Sequence, residues 1–205
     1  MKNSIKTLVL FIATTLIVVW SLSISASCSS ASSPQVYNDS VVYTIPTGAH
    51  YSTPRLNQSH SGIKKLTYNI QFDYNCKYKL LTIDSNDINK AYGFSYGFHQ
   101  TNSSRLGWNW KKDTLILYNY TYFSGKITTK RIGLFARNKP IYVEQWYQGR
   151  DTSWISCKQN NIVKSIFVTG VGTTPMSGYY LYPYFGGTSV APNTMTVKVW
   201  SIKTY

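Results

Sequence analysis

The chain has 205 residues, 43% hydrophobic and 16% aromatic, with 21 basic against seven acidic side chains and a formal charge of +14. A single glutamate, Glu144, and six aspartates offer no obvious facing pair of carboxyl groups, which argues against glycoside hydrolysis. Cationic excess favours anionic partners, yet the basic residues are scattered, with short clusters only at Lys64-Lys65, Lys111-Lys112 and Lys130-Arg131. No arginine-rich tract is present, so nucleic acid is not expected as a partner.

The N-terminus has the organisation of a secretory signal peptide over residues 1–27. Lys2 and Lys6 precede an apolar run at 8–20, and small residues lead to Cys28. The run is short for a membrane span, and small residues mark a cleavage site. Ala26-Ser27-Cys28 resembles the lipobox of bacterial lipoproteins, in which the thiol carries a diacylglyceryl group. Ser25 stands where that box has Leu, Val or Ile, and cleavage after Ala31 is the alternative. Residues 28–39 then read as a polar tether. Cleavage before Cys28 leaves 205 − 27 = 178 residues and a charge of +14 − 2 = +12. A chain of that size buries about 70% of its unfolded surface, enough for one domain at 40–205 without a disulfide scaffold.

From residue 40 the signal is period two. Leu66, Tyr68, Ile70, Phe72 and Tyr74 alternate with Thr67, Asn69, Gln71 and Asp73, which predicts a half-buried strand. Residues 114–123 are apolar or aromatic on both parities, as in a central strand, and Ser124-Gly125 turns them back into 126–132 as a hairpin. Further strands are predicted at 41–45, 78–83, 92–98, 141–147, 153–157, 162–169, 179–185 and 195–202. One helical turn is predicted at 84–90. About ten strands and no helical stripe define an all-β domain of two antiparallel sheets, a jelly-roll or concanavalin-like sandwich, with an immunoglobulin-like sandwich as the alternative.

Cys76 and Cys157 are the remaining thiols. An oxidising compartment permits a disulfide worth about 4 kcal/mol for so long a loop; two buried free thiols are the other reading. Neither has a Cys or His at ligand spacing, so no metal or other cofactor is expected. Asp84, Asn86, Asp87 and Asn89 lack the spacing and closing glutamate of a calcium loop and suit a turn.

Two dense segments carry the candidate site. In the first, His99, Asn102 and Arg105 could serve a polysaccharide lyase, with the guanidinium neutralising a uronate and an imidazole or a tyrosine moving the proton. Structural roles in a loop are the competing reading. In the second, 178–192, four tyrosines and Phe185 run into Gly186-Gly187. Trp108, Trp110, Trp146, Trp154, Tyr182 and Tyr184 could stack on sugar rings. Trp108 and Trp110 share one strand face and Tyr182 and Tyr184 another, each pair a candidate platform. Pro183 between those tyrosines cannot donate to a ladder and suggests an edge or a bulge.

Residues 45–51, 87–95, 102–108 and 180–187, with Ala191-Pro192, resemble an uncharacterised family of secreted, lipid-anchored β-proteins of Bacteroidota. The resemblance runs from about residue 45 to the C-terminus and implies an envelope location, but no reaction. Members carry His-His where this chain has His99-Gln100, and His-Asp after Ala-Pro where it has Asn193-Thr194. The reading that follows is a secreted or cell-surface domain binding an extracellular glycan, acidic in one version, without turnover. Its contacts would be Trp108, Trp110, His99, Arg105, Tyr182 and Tyr184, and it would touch a membrane only through a lipid on Cys28. A lyase on an acidic glycan is the second reading, and a structural or adhesive envelope protein the third.

Overall fold

Residues 36–37, 40–56, 58–80, 83–147, 152–172 and 177–205 are described by the structure, a computed structural model. The leader, Cys28 and most of the tether lie outside them. Period-two alternation is realised as thirteen described strands in two antiparallel sheets. In the first sheet, β1 (Val36–Tyr37) and β2 (Val41–Ile45) both run along β13 (Met195–Thr204). Next come β4 (Lys65–Phe72), β9 (Ile141–Tyr147), β10 (Thr152–Gln159) and β11 (Ile162–Thr169). The second sheet orders β3 (Ser59–His60), β12 (Gly178–Leu181), β5 (Asn89–Ser95), β6 (Ser103–Lys111), β7 (Thr114–Phe123) and β8 (Lys126–Phe135). The sheets pack face to face as a jelly-roll β-sandwich. Three hairpins turn on two residues that both have positive φ: Lys112-Asp113, Ser124-Gly125 and Asn160-Asn161. Such turns match the twist of the strands they join.

One parity of each strand fills the space between the sheets. Leu66, Tyr68, Ile70 and Phe72 of β4 are fully buried, each stabilising the fold by about 1.5–3 kcal/mol. They meet Leu106 and Trp108 of β6, Leu115 and Leu117 of β7, and Tyr92 and Phe94 of β5. Toward one end the interior is polar and hydrogen-bonded around Ser153, although the buried Gln145 amide has no partner among the described residues. Ser153 Oγ lies 3.0 Å from Ser104 Oγ and accepts from Thr121 Oγ1 at 3.0 Å, while Asn119 Nδ2 donates to Ser153 O at 3.0 Å.

Several sequence expectations are corrected. The alternation of β4 stops at Phe72; Tyr74 opens a short 3-10 segment (Tyr74–Cys76) and is 69% exposed. No strand forms over 77–80, and Ile83–Asn86 is a 3-10 turn. The strand expected at 179–185 ends at Leu181, two residues before Pro183, whose missing N–H cannot extend a ladder. The disulfide is also absent: both thiols are free and buried. Cys76 Sγ donates to Thr196 O on β13 at 3.1 Å, whereas Cys157 lies on β10, three strands across the sheet. At the usual strand spacing that is roughly 14 Å, beyond the Cα separation a disulfide spans.

Candidate functional site

The site is built on the outer parity of the second sheet. Along β6, Leu106 and Trp108 point into the core, so Arg105, on the opposite parity, points out. Arg105 sits in a row across four strands: Leu181 on β12, Gly93 on β5, Arg105, then Tyr120 on β7. Gly93 is dictated by space, because a Cβ there would meet the backbone oxygen of Ser104 at 2.1 Å. A bulge in β5 between Lys90 and Gly93 brings Lys90 to the same face. The segment that sequence reading placed at an edge crosses beside it. Tyr184 forms isolated bridges with Lys90 and with Tyr51, and Tyr182 O accepts from Arg105 Nη2 at 3.0 Å.

These residues enclose a cleft of about 530 Å³ lined by Tyr51, Lys90, His99, Arg105, Tyr122, Tyr179, Tyr182 and Tyr184, among others. None of its described lining residues is an acid. Its wall is aromatic and braced from behind. His50 stacks on Tyr184 at 5.4 Å, Tyr51 meets Tyr184 edge-on at 5.1 Å, and Arg55 lies 4.2 Å above Tyr51. His99 reaches the cleft from the β5–β6 loop. Its Nδ1 lies 2.8 Å from the Tyr179 hydroxyl, which also accepts the His99 backbone N–H at 3.2 Å. Burial, then the charge of Arg105, hold the imidazole below its usual value, which favours its neutral form.

Arg105 is buried, and its Nε has no hydrogen-bond partner. Burial alone pulls the guanidinium down to about 10, against the countering pull of surrounding tyrosines led by Tyr120. Burial, then Arg105, bring Lys90 down to about 8, with Asp87 opposing. The Lys90 ammonium rests 4.9 Å from the Tyr120 ring centroid and 5.6 Å from that of Tyr184. Among the described residues no carboxylate lies within ion-pair distance of either cation.

The structure therefore joins His99 and Arg105 from one dense segment to Tyr182 and Tyr184 from the other. It removes three expected participants. Trp108 is fully buried, packed against Phe72 at 5.2 Å and Tyr78 at 5.7 Å. Trp110 follows it on the same parity, half-buried under the Arg137 guanidinium at 4.1 Å and outside the cleft. Asn102 is buried, and its Oδ1 accepts from Ser124 N at 3.1 Å and the Tyr147 hydroxyl at 3.4 Å, a purely structural role. Lys90, Tyr179, Tyr122 and Tyr51 were not singled out from sequence. Lys90 carried a usable signal, being the one cation in a run of small and apolar residues that pairs next to β6.

Fold and site together define a jelly-roll β-sandwich with a cationic, tyrosine-walled cleft on one outer sheet face. No family model and no curated protein matches the sequence. Solved structures similar to it include alginate lyase vAL-1 from Chlorella virus, at 9% identity and TM-score 0.52, covering 83% of this chain and 88% of that one. Scytalido-glutamic peptidase follows at 8% identity and TM-score 0.49, covering 83% and 82%. The carbohydrate-binding module CBM66 from Bacillus subtilis matches at 10% identity and TM-score 0.41, covering 84% and 95%. At 9% identity the likeness to the alginate lyase shows the fold alone.

Proposed function

We propose that the cleft binds an anionic glycan, with Arg105 and Lys90 on its acid groups and the tyrosines against its sugar rings. One observation carries this reading: the buried Arg105 and the half-buried Lys90 converge in a cleft with no acid among its described lining residues, and neither has a described carboxylate partner. A buried charge without a counter-ion is costly, and a carboxylate or sulfate entering the cleft would supply one to the guanidinium. The likeness to an alginate lyase agrees with a polysaccharide as ligand. The test is retardation of the purified protein in gels containing alginate, polygalacturonate or chondroitin sulfate. Arg105→Ala should abolish retardation; unchanged mobility of the parent protein in all three would refute the reading.

A second reading is favoured by the His99–Tyr179 pair. With a uronate carboxylate on Arg105, one member of the pair would take the proton at C5. The C5–H electrons would form the C4–C5 double bond, the C4–O bond would break, and a proton would pass to the departing oxygen. Ultraviolet absorbance of the unsaturated uronate distinguishes the two. Product that disappears in Tyr179→Phe establishes turnover; binding without product leaves a binding protein. We further propose an envelope location with a lipid on Cys28, a reading supported by the signal sequence and lipobox resemblance.

A further inference from the structure

The outer face of the opposite sheet carries a second, chemically different surface. Lys65, Trp146, Trp154 and Phe167 stand directly opposite one another on β4, β9, β10 and β11. Three rings thus sit side by side on adjacent strands, spanning roughly 10 Å at the usual strand spacing, the length of about two pyranose units. Trp146 and Trp154 are half-buried and Phe167 is 54% exposed. With Glu144 and Thr152 they line a hollow of about 470 Å³. Trp146 meets Trp154 edge-on at 6.4 Å, while Lys65 covers Trp146 at 4.7 Å and Lys130 lies 5.4 Å from Phe167.

The neighbouring row is polar across the same strands: Thr67, Glu144, Ser156 and Ser165. A band of rings one residue wide, with the Glu144 carboxylate and the exposed Ser165 hydroxyl at its border, suits a sugar chain, which presents C–H faces flanked by hydroxyl edges. A protein partner would favour a broader apolar core. Charge narrows the choice further. The only glutamate in a chain of formal charge +14 lies in this hollow. Its carboxylate is shared between Lys65 at 3.2 Å and the Tyr142 hydroxyl at 3.1 Å. Paired with Lys65, it leaves this hollow without the uncompensated buried cation that marks the cleft, and its oxygens would accept from sugar hydroxyls. From this geometry we infer that the face formed by Trp146, Trp154 and Phe167 is a second glycan site, suited to a neutral polysaccharide and independent of the cationic cleft.

The test is affinity electrophoresis of the purified protein in four soluble neutral polysaccharides: a β-1,3-glucan, hydroxyethylcellulose, xyloglucan and a β-mannan. At least one should retard the parent protein. Trp154→Ala should weaken that binding about tenfold or more, Trp154→Phe should retain part of it, and Arg105→Ala should leave it unchanged. Circular dichroism and the melting temperature verify that the Trp154 variants are folded. Absence of retardation in all four, or equal retardation of parent and Trp154→Ala, overturns the inference. Concentration-dependent dimerisation lost in Trp154→Ala would also overturn it, by assigning the face to a second copy of the chain.

Discussion

Arg105 shows how a single side chain can serve binding at the expense of stability. It is held buried in the wall of the cleft by one carbonyl, with Nε unpartnered, so the folded state carries much of its desolvation cost uncompensated. Arg105→Met is therefore expected to raise the melting temperature, by about 1 kcal/mol or more of added stability, while eliminating retardation by acidic glycans. A calorimetric scan beside the gel assay checks both signs. Lys90 supplies a pH dependence. Its folded value lies below that of free lysine, at about 8. Above that pH the folded chain has shed a proton the unfolded chain still holds, so stability from this group rises as pH climbs toward the lysine range. Binding has the opposite sign, because the ammonium facing an anion disappears. Affinity for an acidic glycan should hold below pH 8 and fall above it, and Lys90→Gln should flatten the profile. Arg105, Asp87, Tyr120 and Tyr184 surround this group; Arg105 keeps its charge until about 10, so the fall belongs to Lys90.

At the level of the strand, parity decides what was legible. The pattern of β4 exposes its buried face because apolar and polar residues alternate cleanly. In β6 the sequence Arg105-Leu106-Gly107-Trp108 establishes that Trp108 and Arg105 face opposite ways, but not which way is inward. Aromatic residues satisfy either side of a sheet, so the tryptophans looked as suitable for a platform as for the core. Packing settles the matter: Trp108 closes the space between Phe72 and Tyr78. Trp108→Ala should cost about 3–5 kcal/mol, read as a lower denaturant midpoint, and Trp110→Ala should leave acidic-glycan retardation intact. The contact between His99 and Tyr179 spans 80 positions in sequence. No local pattern announces it, because it depends on β12 laying itself against β5.

Across the whole molecule, strand composition and turn chemistry made the sandwich legible, down to the Ser124-Gly125 hairpin. The cleft was half legible, because its cations and tyrosines come from β5, β6, β7, β12 and the segments around Tyr51 and Tyr182–Tyr184, and converge only through sheet order. The two sheets present different outer faces, one cationic with tyrosines and one with rings around a carboxylate. The proposed lipid anchor is tested on the full chain. Radiolabelled fatty acid should be incorporated by the parent and lost in Cys28→Ala, and equal labelling of both would remove the anchor.

The free thiols have a use of their own. Cys76 lies beneath β13 and Cys157 in β10, each sealed from solvent with its ionisation pushed upward by burial. In a Cys28→Ser chain they are the only two sulfhydryls, so a thiol-reactive probe can modify the protein only when the sandwich opens. Their separate labelling rates would time the parting of two regions of one sheet, turning an unformed crosslink into a pair of native clocks for unfolding.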